Sequence, residues 1–156
     1  MSVMANHDGH VEGFVYVRVG DCVFGAPVLR VMDVIAETEI NRVPLAPPEV
    51  AGSLNLRGRI VTAIDLRLRL GMAPRADGQG HMCVIVEYAG ELYALLVDEV
   101  GDVLWLGDDQ HEPAPVTLSP NVRAVCEGLF RLEDELMLVL NIDGVLRIGA
   151  AAHAAP

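Results

Sequence analysis

Residues 14–35 read FVYVRVGDCVFGAPVLRVMDVI, and residues 83–104 read CVIVEYAGELYALLVDEVGDVL. In the first stretch Val15, Val17 and Val19 alternate with Phe14, Tyr16 and Arg18, the period of two that gives a strand unlike faces. Gly20-Asp21 then supplies a two-residue turn, residues 22–26 return as a second strand, and Pro27 limits its length because proline cannot donate to a ladder. The second stretch does the same: Val84, Val86 and Tyr88 alternate, Ala89-Gly90 turns, and residues 92–97 return. With Phe14 placed on Cys83 the two align without a gap. Six of the 22 pairs are identical, namely Val15/Val84, Val17/Val86, Val28/Val97, Val31/Val100, Asp33/Asp102 and Val34/Val103.

A second echo follows at a slightly wider spacing. Gly52 matches Gly128, Leu56 matches Leu132 and Leu70 matches Leu146, while Ile60, Ile64 and Leu66 face Leu136, Leu140 and Ile142, and Asp65 faces Asn141. Two echoes in the same order, each keeping its turn and period, point to an internal duplication. Short strands joined by glycine turns then predict a mainly β chain of two small barrels side by side, with helix a minor component. Between the echoes, residues 43–48 read as a Pro-rich loop, 60–66 as an apolar strand, 66–70 as a helical turn ended by Gly71, and 73–80 as a flexible connector. Residues 12–149 are expected to form one domain of two duplicated subdomains, with repeats starting near 14 and 83 and flexible tails at 1–11 and 150–156.

The 156 residues carry 22 acidic side chains against 11 basic ones, a net charge of −11. Every basic residue is Arg, so Schiff-base lysine chemistry and a P-loop are excluded. The negative charge argues against nucleic acid and anionic membranes as partners. Apolar residues make up 52% and mean hydropathy is +0.37, which argues against disorder, yet no apolar run reaches the roughly 18 residues of a membrane span. The first residues lack a basic segment followed by an apolar one, so no signal peptide is legible and a cytoplasmic location is expected. Cys22, Cys83 and Cys126 stand apart and read as small buried apolar residues.

Candidates for chemistry are sparse. Ser53 lacks the second glycine of a nucleophile elbow. His81 and Cys83 share a face if their segment is a strand, but no further ligand completes a zinc set, so no metal or cofactor is expected. Asp98, Glu99 and Asp102 form an acidic cluster in which Asp98 and Asp102 have the register of strand-end residues, and Glu133, Asp134 and Glu135 read as a solvated turn. Arg57, Arg59, Arg67 and Arg69 follow one another closely, offset locally by Asp65 alone. Arg57, held between Gly52 and Gly58 in a short loop, either presents its guanidinium outward to a carboxylate partner or satisfies a group of its own chain.

The string from Val43-Pro44-Leu45-Ala46-Pro47 through Gly52-Ser53-Leu54-Asn55-Leu56-Arg57-Gly58-Arg59-Ile60-Val61 to Ile64-Asp65-Leu66-Arg67 resembles CheW-type chemotaxis coupling proteins. So do residues 95–104, the Pro113-Ala114-Pro115 loop and Leu138-Val139-Leu140-Asn141-Ile142. The resemblance covers residues 12–148 and implies two five-stranded SH3-like β-barrels packed together. It implies a non-enzymatic adaptor linking the cytoplasmic tip of chemoreceptors to the regulatory domain of a histidine autokinase (CheA), itself monomeric in isolation. The family's receptor-facing segment corresponds to Val31, Asp33 and Val34, and its loop arginine to Arg57, with Asn55, Gly52 and Gly58 shaping that loop. Three positions depart from the family pattern: Asp33 stands for Glu, Thr62 or Ala63 for Pro, and Asn141 for Asp. Two other readings are a coupler of a pilus-motility or other chemosensory pathway, and a barrel enclosing a small apolar ligand; the many bulky aliphatics favour filled barrels over the latter.

Overall fold

The computed structural model describes residues 10–76 and 78–147. Strands β1 (Val11–Val19) and β2 (Cys22–Pro27) form the first hairpin about Gly20, whose φ of 58° a side chain would resist. A 3₁₀ turn, Val28–Arg30, carries the chain into β3 (Val31–Ala36). The pair β4 (Val50–Leu56) and β5 (Arg59–Asp65) follows, then the short helix α1 (Leu66–Arg69). The pattern returns with β6 (Met82–Tyr88), β7 (Glu91–Val97) and β8 (Glu99–Gly107), then the two-residue β9 (His111–Glu112) and α2 (Pro120–Arg123). Strands β10 (Cys126–Arg131) and β11 (Leu136–Leu140) lead to a helical stretch at 142–147. Pairing begins at Val11, inside the expected N-terminal tail, while residues 1–9 and 148–156 lie outside the described residues.

The strands sort into two sheets, ordered β3-β6-β7-β5-β4 and β8-β1-β2-β11-β10-β9. Each sheet takes strands from both sequence repeats. The hairpin β1–β2 is flanked by β8 and β11 from the second repeat, and β6–β7 by β3 and β5 from the first. With each strand replaced by its repeat counterpart, the order of the first sheet becomes β8-β1-β2-β11-β10, which is the second sheet without its short last strand.

That extra strand is the same device in both sheets. The chain leaving β8 crosses to the opposite edge, where Glu112 pairs with Leu129 on β10. The chain leaving β3 crosses likewise and Asn41 pairs with Ser53 on β4, with Asn41 N donating to Ser53 O at 2.7 Å. Each crossing chain therefore pairs with the outer strand it reaches and covers part of that edge. The crossing chain comes so close that the β4 and β10 positions facing it must be glycine. A Cβ on Gly52 would strike the Asn41 carbonyl, and one on Gly128 would sit 2.6 Å from the Glu112 carbonyl.

The alternation seen in the sequence divides side chains between two interiors rather than between core and water. Val15, Val17 and Val19 join Val84, Val86 and Leu95 in a central cluster shared by the sheets. Cys83 and Ile85 turn into a second cluster with Leu54 and Leu96, and Phe14 into a third with Phe130 and Met137. Burying each large apolar side chain is worth about 1.5–3 kcal/mol, so a strand with both faces covered is held strongly.

One expectation is corrected at Arg75, inside the stretch read as a flexible connector: its side chain is 9% exposed and pairs with Asp65 and Asp98. Arg57 and Arg59 are exposed, whereas Arg67 and Arg69, close to them in the sequence, turn inward.

Candidate functional site

The β4–β5 turn begins from a simple constraint. Leu56 pairs with Arg59, leaving Arg57 and Gly58 to reverse the chain alone. A two-residue turn matching the strand twist needs positive φ at both positions, and they have 52° and 87°. Glycine takes this freely; Arg57 takes it at a cost, offset by the Asn55 side chain, whose Oδ1 accepts from Gly58 N at 2.9 Å. Arg57 is thereby set at the tip, with 77% of its side chain exposed. Gly52, grouped with this loop in the sequence, lies instead within β4 and serves the close crossing of Asn41.

On the opposite edge of the same sheet, β3 carries a bulge between Val31 and Asp33, leaving Met32 exposed. Asp33 Oδ1 accepts from Val34 N at 2.8 Å, which fixes the carboxylate. Its other oxygen accepts from Arg57 Nη2 at 3.2 Å. The curl of the sheet thus joins its first strand to its last, across a long stretch of sequence. Asp33, one methylene shorter than Glu, reaches Arg57 without difficulty. Val31 and Val34 are half-buried beside it, and Asn55 is exposed but committed to the turn. Ile60, just past the turn on β5, is also exposed, whereas the exposed Val43 and Leu45 of the crossing loop lie beside Val50 and Thr62, away from the Arg57 tip.

Several other charges are structural. Arg67 donates to Asp98 through Nε and Nη2, the shorter contact 2.8 Å, and Gly20 N donates to Asp98 Oδ2 at 2.7 Å. Burial alone would push the Asp98 carboxyl up; the bonds from Arg67 and Gly20 and the charges of Arg75 and Arg67 outweigh it and hold it below the usual carboxylate range. Arg69 is buried and donates to the Gly144 and Val145 carbonyls, at the end of the described helical stretch. Burial, opposed by Glu49, lowers its pKa. Asp65 caps α1 by accepting from Arg67 N and Leu68 N, and its counterpart Asn141 caps the 142–147 turn by accepting from Gly144 N. Asparagine replaces the family's aspartate there without losing the acceptor.

Asp98 is legible in the sequence as a strand-end acid, but its partners Arg67 and Arg75 are not, since they reach it from a distant part of the chain. His81 precedes β6 and Cys83 is buried within it. Burial lowers the His81 pKa and pushes the Cys83 thiol up to about 11, so at neutral pH the thiol keeps its proton. Among the described residues no group of three or more His, Cys, Asp or Glu is placed to hold a metal ion. The Glu133–Asp134–Glu135 segment is a turn, closed by Leu132 N donating to Glu135 O at 2.8 Å, and Glu135 also accepts from the Tyr16 hydroxyl. No described helix is long and apolar enough to cross a membrane.

Residues 13–149 match the CheW-like domain. The chain is 30% identical over 128 residues to the chemotaxis protein CheW of Rhizobium meliloti, covering 82% of this chain and 83% of that one. It is 25% identical over 134 residues to that of Helicobacter pylori, covering 86% and 81%. Its structure is similar to the crystal structure of the scaffolding protein TtCheW from Thermoanaerobacter tengcongensis, with a TM-score of 0.75, 27% identity, and coverage of 84% and 89%.

Proposed function

The chain belongs to the CheW-like family, and from that premise we propose that it couples the cytoplasmic tip of chemoreceptors to the regulatory domain of a histidine autokinase, without catalysis of its own. The observation that carries this reading is the Asp33–Arg57 pair. It is an exposed, charged contact on a rigid turn and a bulged strand edge, beside uncovered apolar side chains. Such a mixture of fixed polar groups and apolar anchors suits a helical protein surface better than a small substrate.

The mechanism follows from what an adaptor can do. Holding receptor and kinase together raises the local concentration of each, and control of the kinase requires a different affinity for its two conformations. Arg57 would meet a carboxylate on the receptor tip, with Val31 and Val34 beneath the helix. The kinase domain, of the same fold by family resemblance, would pack barrel to barrel. A cytoplasmic location belongs to the same proposal, since both partners present their binding surfaces there.

The test is a titration of the purified protein with the kinase regulatory domain and, separately, with a receptor tip fragment from the same cell. Saturable one-to-one binding to both is expected. Arg57→Glu should abolish receptor binding while circular dichroism and kinase binding stay unchanged. Retained receptor binding by that variant would refute the assignment of Arg57, and failure of the wild-type chain to bind either partner would refute the coupling role.

A further inference from the structure

Strand β8 ends differently from its counterpart β3. In the repeat alignment Ala36 and Glu37 correspond to Trp105 and Leu106. Where β3 stops at Ala36, β8 runs on to Gly107. It stands first in its sheet, and among the described strands it pairs with β1 alone. From Val103 to Gly107 that pairing is unbroken, the bulge lying before it. The side of β8 away from β1 is there a straight row of backbone donors and acceptors.

The side chains of this edge are apolar on both faces. Leu104 and Leu106 are half-buried against the cluster that holds Phe14 and Phe130. Val103 and Trp105 take the other face and are 40% and 66% exposed. Trp105 has a built seat, because its cross-strand partner is Gly13, where a Cβ would meet the indole at 2.9 Å. The ring is thus held against β1 with most of its surface in solvent.

A straight apolar edge of this kind invites pairing with another chain, and the charges beside it decide which chain. From residue 99 to 112 stand Glu99, Asp102, Asp108, Asp109 and Glu112, with no Arg among them. Arg18, opposite Glu99 on β1, is engaged by Glu135 and the Tyr16 hydroxyl. A second copy is disfavoured, because two β8 edges joined antiparallel about Trp105 set Asp102 of each against Asp108 of the other. A basic chain gains where a copy loses.

We infer that the Val103–Gly107 edge takes up an extended basic segment of a partner protein, alternating apolar residues with Lys or Arg, as an added strand of the six-stranded sheet. The segment's backbone continues the ladder, its apolar side chains lie against Val103 and Trp105, and its cations meet Asp102 and Asp108. The inference goes beyond the coupling role, since Asp33 and Arg57 stand on the other sheet.

Trp105 is the only tryptophan of the chain, so its fluorescence reports this edge directly. The probe is a capped heptapeptide of alternating Lys and Val, titrated into the full chain at neutral pH, with amide shifts of the isotope-labelled protein followed alongside. Saturable changes are expected at Trp105 and across Val103–Gly107, and none with the heptapeptide of alternating Glu and Val. An added strand offers only alternate amides to the ladder. Of two Lys–Val peptides, N-methylated on every Val or on every Lys, one should therefore lose binding and the other keep it. Trp105→Ala should weaken the Lys–Val peptide about tenfold, and Asp102→Asn and Asp108→Asn about threefold each, with the spectrum elsewhere unchanged. The inference is overturned by no saturable change at millimolar peptide, by equal binding of the Lys and Glu peptides, or by equal effects of the two methylations. Unchanged affinity in the three variants, or shifts gathered on another strand, would overturn it as well.

Discussion

The five-stranded and six-stranded sheets run in the same strand order and are closed by the same kind of crossing chain, yet they present opposite chemistry to solvent. At the tip of β4–β5 stands Arg57, with Arg59 and Ile60 following; at the equivalent tip of β10–β11 stand Glu133, Asp134 and Glu135. What both sheets keep is what the backbone demands. Gly52 and Gly128 admit the crossing chain, Asp65 and Asn141 cap the helical turns, and alternating valines feed a shared centre. What they do not share is every side chain that the backbone leaves free. Duplicated architecture thus separates constraint from specialisation within one molecule: equal residues mark geometry, and unequal ones mark surfaces available for different partners.

The largest effect should come from the joint that has no duplicate. Leu29 is the counterpart of Asp98, so the network of Asp98 with Arg67 and Arg75 exists once among the described residues. Asp98→Asn leaves the nearly buried Arg67 guanidinium without its anion and Arg75 with Asp65 alone, and should cost about 3–5 kcal/mol in chemical denaturation at neutral pH. Because the folded-state pKa of Asp98 lies below its unfolded value, its stabilisation is present above the unfolded pKa and is lost as pH falls through the folded one. The gap between wild type and variant should accordingly be widest at neutral pH and narrow under acid. A gap unchanged by pH would break this account.

Next come the two glycines. Gly52→Ala and Gly128→Ala should each cost about 1–3 kcal/mol for the left-handed backbone alone, and more where the crossing chain cannot retreat. Gly52→Ala meets backbone at Asn41, whereas Gly128→Ala meets Glu112 backbone and the movable His111 ring. Thermal melts should therefore rank Gly52→Ala as the worse of the two; the reverse order would show that the closures are less alike than their spacing suggests. Smallest is the surface pair. A double-mutant cycle on Asp33→Ala and Arg57→Ala should give a coupling of about 0.2–1 kcal/mol in stability, since both ends are solvated. A larger coupling would mean that the pair holds the sheet edges together rather than standing ready for a partner.

Much of this is legible from neighbouring residues alone. Period-two valines, the Gly20-Asp21 and Ala89-Gly90 turns and the stop at Pro27 are local signals, and the hairpins form where they predict. The helical turn after Asp65 is equally local, because a carboxylate just ahead of the free amides caps it wherever it lies. Arg57 at a turn tip follows from the glycine beside it. The role of Gly52 does not, because the chain it makes room for lies well upstream, on no regular element. Likewise nothing near Arg75 in the sequence announces its burial, since its acids come from β5 and the β7–β8 junction.

The amino-acid sequence by itself determined the strands, their turns, the repeat and the family, because φ/ψ preference and side-chain alternation act between neighbours. Only the tertiary structure decided which repeat supplies the third strand of each sheet and which arginines stay outside. Those choices depend on covering both faces of every strand and giving each buried charge its counter-ion, conditions met only when segments far apart in the chain are packed at once.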